Sequence, residues 1–460
     1  MRTLVAILGV LLLPGALHAA EPQQSLIDIY QLALERDPTW SAARNANLAA
    51  QEKLEQGKAL YRPTVTFNSN ASRTESDIRY IGGVNPFRVG GPQSFDTFGY
   101  GVSVNQPILR LQNYVEYQQA KVQVSQADKQ LILAQQNLIL RSAQAYFDVL
   151  LAQDKIDLIN AQKAAINRQL EQAKANFELG NATITDVNEA QARYDLTMAQ
   201  EIAALNELEV KKRTVQSVIG EMPKKLAPAR GDLKTTLPEP NNMDKWVDLA
   251  LQSNLNLNIQ QQNLEIATKE VDKQNAGHYP TLDAVGSYTD TRASGGINGF
   301  GSDLQSSVIG LQLAIPLYQG GLASSRVREA VAFKQKAQDD VEAARRQADL
   351  DTREAYLNLT GSVAQVQAYE QALNSSQSQV DSTTLGYEVG VRNSVDVLNA
   401  QQQLFSAKRD LLQARYTYLL STLKLKSAIG MLSESDLVEV NQRLLLSNSP
   451  NTSATDNKTN

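Results

Sequence analysis

The 460-residue chain carries 44 Lys and Arg against 49 Asp and Glu, a formal charge of -5, with no Cys and two His. Without Cys there is no disulfide, thiol nucleophile or lipid-modified cysteine, and with one of the two histidines, His18, in the N-terminal segment, multi-histidine metal sites are excluded too. The acidic balance argues against nucleic acid as a partner, and any acid–base chemistry would fall to carboxylates, Lys or Tyr.

Met1 to Ala20 has a single Arg, an apolar run from Leu4 to Leu13, a Pro-Gly break and small residues at Ala19 and Ala20. This is the pattern of a cleaved secretory signal, so the mature chain is expected to start near Glu21. No later stretch reaches the roughly 18 apolar residues that span a bilayer as a helix, which leaves any membrane crossing to strands. No phosphate-cradling Gly loop and no G-x-S-x-G elbow is present, and no catalytic residue, cofactor or metal site is expected.

From Ser25 to Leu60 the periodicity predicts a helix of about 30 residues, followed by two short strands around a Gly-, Ser- and Asn-rich loop. Phe98, Tyr100, Val102 and Val104 alternate with Gly99, Gly101, Ser103 and Asn105, one face apolar and the other polar, as in a membrane β-barrel. A very long helix is predicted from roughly Leu109 to Leu179. In it Leu131, Leu138, Ala145, Ala152, Ile159, Ile166 and Ala173 recur every seven residues, with Val149, Ile156, Leu170 and Phe177 on the neighbouring seam. That spacing implies left-handed supercoiling against partner helices, over a length on the order of 100 Å. The stretch FELGNATITDVNEAQ (177–191) forms a turn, and a further helix ends near Gly220.

Glu221 to Asn242, with four prolines, reads as a linker, and the plan then repeats over residues 243–430. A helix is predicted from Met243 to Gly277. The strand carrying Ile309, Leu311, Leu313 and Ile315 comes next, then a long helix from roughly Gly321 to Val389 with Leu359, Val366, Leu373, Val380 and Tyr387 in heptad phase. The second turn, YEVGVRNSVDVLNAQ (387–401), matches the first at six positions with an offset of 210, and Ile219-Gly220 matches Ile429-Gly430. Upstream, Pro63-Thr64 matches Pro280-Thr281 at an offset of 217, so the length difference lies in the loop between strands. Residues 21–220 and 243–430 are therefore two copies of one unit. Residues 431–460 form a C-terminal segment whose polar tail from Ser447 is expected to be disordered.

Four amphipathic strands are too few for a closed barrel, and a two-sheet sandwich would need cover that the chain does not supply. Closure demands oligomerisation, with twelve strands in a trimer or eight in a dimer. Among rival readings, a periplasmic coiled-coil adaptor shares long hairpins and a signal but normally has a single hairpin plus lipoyl-like modules. A carboxylate hydrolase lacks a paired site.

AYFDVLLAQDKIDL, NRQLEQAKANFELGNATITDVNEAQARYD, HYPTLD, IPLYQGG, VDVLNAQ, AKRDLLQARYTYL and KSAIGML occur in order along nearly the whole mature chain. With them the sequence resembles the TolC family of trimeric outer-membrane channels, which serve Gram-negative efflux pumps and type I secretion systems. The resemblance implies an α+β membrane protein, a homotrimer with a shared twelve-stranded antiparallel barrel in outer-membrane lipid and a coiled-coil helical tunnel across the periplasm. It also implies a periplasmic adaptor and an inner-membrane RND, ABC or MFS transporter as partners.

At the turns, Gly180 and Gly390 stand where a helix ends in a left-handed residue. Thr183 with Asp186, and Asn393 with Asp396, read first as N-caps similar to a capping box, a local role that alone accounts for Asp in both copies. The resemblance adds a second role. It makes the second-repeat hairpin the inner one, with a D-V-L-D pattern that here reads Asp396-Val397-Leu398-Asn399, while Glu189 replaces an uncharged residue in the first copy. Asp396, Asn399 and Glu189 are thus candidates for an entrance ring. Tyr387 and Arg392, facing Thr185 and Asp186, are candidates for gate links, and Gly180 and Gly390 for the tips that meet the adaptor.

Overall fold

The computed structural model describes residues 23–79, 81, 90–228, 233–296 and 299–445. The signal segment 1–20 and the polar tail from Ser447 lie outside the described residues.

The long stretch predicted first in each copy as one helix is two. Helix α1 (Leu26–Arg36) stops at Asp37, whose side chain accepts from Trp40 N–H at 2.6 Å and starts α2 (Pro38–Ala59). Pro38 fits the first helical position, where no N–H is needed, but not the interior of a continuous helix.

The strands are longer than expected. β1 (Thr64–Ile78) has 15 residues and β2 (Gly91–Leu109) has 19. The long helix α3 (Leu111–Glu178) has 68 residues and turns into α4 (Ile184–Ile219). In the second copy Asn254 makes the same break, its side chain capping Leu257 N–H at 2.9 Å between α5 (Met243–Ser253) and α6 (Leu255–Ala276). Strands β3 (Thr281–Ala293) and β4 (Ser302–Ala314) follow, each of 13 residues, then α7 (Leu322–Glu388) and α8 (Ser394–Ala428). A last helix, α9 (Glu434–Leu445), lies in the C-terminal segment, where Leu437, Val440 and Leu444 recur at helical spacing and are buried.

The strands form one antiparallel sheet in the order β1-β2-β3-β4, so the two copies join through β2 and β3. The register puts Val65, Phe67, Val102, Val104, Ala284, Tyr288, Ile309 and Leu311 on one face. Asn68, Ser103, Thr289 and Ser306 stand on the other. Ile309 is 94% exposed and Leu311 70% in the single chain, and β1 and β4 are both open edges. No described helix is long and apolar enough to cross a membrane.

Below the sheet, Arg110 at the start of α3 donates through Nε and Nη2 to the two oxygens of Asp283 on β3, tying the first long helix to the second copy's strand. Midway along α3 the main core forms where α1, the ends of α4 and α8, and α9 meet. Leu26, Tyr30, Leu138, Tyr146, Tyr418 and Leu437 are fully or almost fully buried there. The linker is pinned to this core, with Gln24 and Leu226 bridged, Tyr146 Oη donating to Ala227 O at 2.8 Å and Trp246 Nε1 to Pro240 O at 2.8 Å.

Along the far half of α3 the heptad positions Ala152, Ile159, Ile166 and Ala173 stay buried, with Leu170 beside them. On α7, Leu359 and Val366 are buried but Leu373, Val380 and Tyr387 are only half-buried. Within the single chain, the seam of α7 is less covered toward its tip.

Candidate functional site

The far ends of the two helix hairpins lie side by side, and their turns are built alike. After α3, Gly180 N–H bonds to Phe177 O at 2.9 Å and Asn181 N–H to Asn176 O at 2.8 Å. After α7, Gly390 N–H bonds to Tyr387 O at 3.1 Å and Val391 N–H to Gly386 O at 2.9 Å. This double closure needs a left-handed residue just past the helix, which Gly180 (φ 75°) and Gly390 (φ 81°) supply. The chain then enters the return helix through a capping box. Asp186 N–H donates to Thr183 Oγ1 while Thr183 N–H donates to Asp186 Oδ2 at 2.9 Å. Asp396 N–H donates to Asn393 Oδ1 at 2.8 Å in the same manner. The expected caps are formed in both copies.

The hairpins are joined by bonds that differ from those expected. Ser394 Oγ donates to Asp186 Oδ1 at 2.7 Å, and Asn176 Nδ2 donates to Tyr387 Oη at 3.1 Å. Arg392 reaches Asp396 of its own hairpin, Nη1 to Oδ2 at 3.8 Å, and Thr185 stands exposed on the first turn of α4. Within one chain, therefore, Tyr387 and Arg392 do not bond to Thr185 or Asp186 among the described residues. The guanidinium stem is placed by Gly386, where a Cβ would come within 2.8 Å of Arg392 Cγ.

Asp186 has its carboxyl held below the usual carboxylate range, mainly by the Thr183 backbone N–H and then by the Ser394 and Thr183 hydroxyls. Between the tips lies a polar cleft of about 540 Å³, lined by Asn176, Asn181, Asp186, Tyr387, Arg392 and Ser394 among others. Farther from the turns, Ile166 and Leu170 of α3, Ala190 of α4 and Leu398 of α8 form a small buried cluster. On its far side Arg193 of α4 joins Glu189, at 3.2 Å, to Asn399 Oδ1 of α8, at 2.9 Å, and also donates to Gln402 Oε1.

Ser394, Asn176 and Arg193 were not singled out from the sequence. All three stand where the copies disagree at the 210-residue offset: Ser394 opposite Ile184, Asn176 opposite Gly386, Arg193 opposite Gln403. Ser394 lies inside the second turn segment, and Asn176 and Arg193 just outside the first, so the copies must be compared position by position through and past the turns to reach all three.

The family model described as outer membrane efflux protein matches residues 29–221 and again 246–431, once per copy. The chain is 33% identical over 432 residues to the outer membrane protein TolC of Vibrio cholerae, covering 94% of this chain and 96% of that protein. It is 31% identical to the alkaline protease secretion protein AprF of Pseudomonas aeruginosa, covering 90% and 85% respectively. Its fold matches that of the outer membrane protein VceC of Vibrio cholerae with a TM-score of 0.72 at 20% identity, over 88% of this chain and 96% of that one. The CmeC outer membrane channel of Campylobacter jejuni is similar with a TM-score of 0.74 at 16% identity, over 91% and 89%. A match of this breadth, repeated over both copies, places the chain in the outer membrane efflux protein family.

Proposed function

We propose that three copies of this chain close one passive duct through the outer membrane and the periplasm, opened when an adaptor and an inner-membrane transporter dock at its hairpin tips. The protein is an outer-membrane exit duct for efflux or secretion, and its geometry supports the finer reading. The observation that carries them is a single chain in which an open-edged sheet, apolar on one face, runs directly into helices of 68 and 67 residues. Three such sheets supply twelve strands with no edge left unpaired, which a membrane barrel requires. The helices, on the order of 100 Å long, carry the lumen inward.

At the inner end, threefold symmetry turns Asp396 into a ring of carboxylates, with Asn399 and Glu189 beside it. Tyr387, Arg392, Thr185 and Asp186 form the gate region, and Gly180 and Gly390 the surface offered to the adaptor. The partner transporter belongs to the RND, ABC or MFS class. Cargo passes without covalent chemistry.

Outer-membrane fractionation and a heat-resistant trimer in detergent test the duct itself. Planar bilayers test the gate: Arg392→Ser combined with Tyr387→Phe raises single-channel conductance, and unchanged currents would remove the gate assignment.

A further inference from the structure

Glu189 and Asn399 are equivalent positions of the two copies, at the 210-residue offset, and they converge on one guanidinium. Arg193 Nε bonds to Glu189 Oε1 at 3.2 Å, one turn earlier on α4. Its Nη2 donates to Asn399 Oδ1 at 2.9 Å and its Nη1 to Gln402 Oε1, both on α8. All three nitrogens are engaged, and the Arg193 side chain is only 26% exposed. The carboxylate fixes the plane of the guanidinium, and the plane aims two donors at the opposite hairpin.

Arg193 lies ten residues beyond the Thr183 cap, about 15 Å along α4 at 1.5 Å per residue. The buried cluster of Ile166, Leu170, Ala190 and Leu398 separates it from the tip bonds of Asp186 and Asn176. The hairpins are therefore fastened at two levels, and an opening that moves α8 away from α4 must break both.

We infer that Arg193 is a positioning residue of the closed state, a second latch that ties α4 to α8 through Asn399 and Gln402 and is held in place by Glu189. The inference rests on the duct reading above. It also gives Glu189 a partner of opposite charge within its own hairpin, as Arg392 is for Asp396.

Purified full-length protein in planar bilayers tests it, with Arg193→Ala, Arg193→Lys, Asn399→Leu and Asn399→Asp. Arg193→Ala raises the ratio of open to closed time about tenfold, the size expected when a charge-assisted link is lost from one of two states. Arg193→Lys falls between, because an ammonium cannot serve three acceptors in one plane. Asn399→Leu reproduces the effect from the other helix, and the double variant adds little to either single one. Asn399→Asp shifts the ratio the opposite way by giving Arg193 a charged acceptor, a response that mere loss of stability does not produce. Open times equal to wild type in Asn399→Leu and Asn399→Asp overturn the latch even where Arg193→Ala does not assemble. Absence of any current from the wild-type protein would instead count against the duct.

Discussion

Asp186 uses both carboxylate oxygens, Oδ2 for the Thr183 capping box and Oδ1 for the Ser394 hydroxyl of the opposite hairpin. A carboxyl held below its ordinary value of 3.8 stabilises the folded tip at all pH above that value. The contribution is lost as pH falls through the lowered folded value. The tip pairing is thus insensitive to pH near neutrality and loosens only below about pH 4. Because the chain has no Cys, spin labels at Asn181→Cys and Val391→Cys report the distance between the two turns without background. The distance distribution is expected to stay narrow from neutral pH to about pH 5 and to broaden below about pH 4. Asp186→Asn, which leaves one acceptor oxygen for two sets of donors, should broaden it already at neutral pH. A distribution equally narrow in the variant would show that Ser394 and the cap do not hold the tips together.

At the scale of elements, much of the fold is legible because helical and strand periods differ so plainly. The heptads of α3 and the alternation in β2 each name their element and its buried or apolar face. The helix breaks were also written locally, in Asp37-Pro38 and in Asn254, yet a continuous apolar period across them hid the caps. Helix α9 was missed because three apolar residues, Leu437, Val440 and Leu444, are a weak signal ahead of a polar tail. The links between hairpins were least legible of all. A heptad says that a seam exists but not which helix fills it, so the within-chain bonds of Ser394 to Asp186 and of Asn176 to Tyr387 were not legible. The same limit hid Arg110, which bonds across the chain to Asp283 where helix meets sheet. Asp283 is 7% exposed, so removing its partner strands a carboxylate. Arg110→Ala is expected to cost about 2 kcal/mol, with part of that recovered when Asp283→Ala is added, as read from thermal unfolding in detergent. Melting of Arg110→Ala at the wild-type temperature would mean that the pair contributes nothing to the joint between tunnel and barrel.

For the whole molecule, family membership favours a channel over the adaptor reading, and the sheet explains why one chain is not enough. The edges β1 and β4 each present unpaired backbone groups, and the apolar face beside them has no cover among the described residues. In hydrocarbon both defects vanish if each β1 pairs with the β4 of the next copy, because closure satisfies the edge bonds while lipid covers the apolar face. The two faces of one strand should then respond differently to the same charge. Leu311 lies on the apolar face with Ala284 as its neighbour on β3, and Ser306 lies on the polar face opposite Thr289. Leu311→Arg sets a guanidinium against lipid at a cost that rises from about 0–1 kcal/mol per chain near the interface to about 2–4 kcal/mol at mid-bilayer, incurred three times in each trimer. The heat-resistant trimer should be lost or should melt at markedly lower temperature. Ser306→Arg adds the same side chain on the aqueous side, so assembly should survive while conductance falls and cations are disfavoured. Equal loss of assembly in both variants would mean that the sheet is covered by protein on both faces, and the barrel would have to be given up.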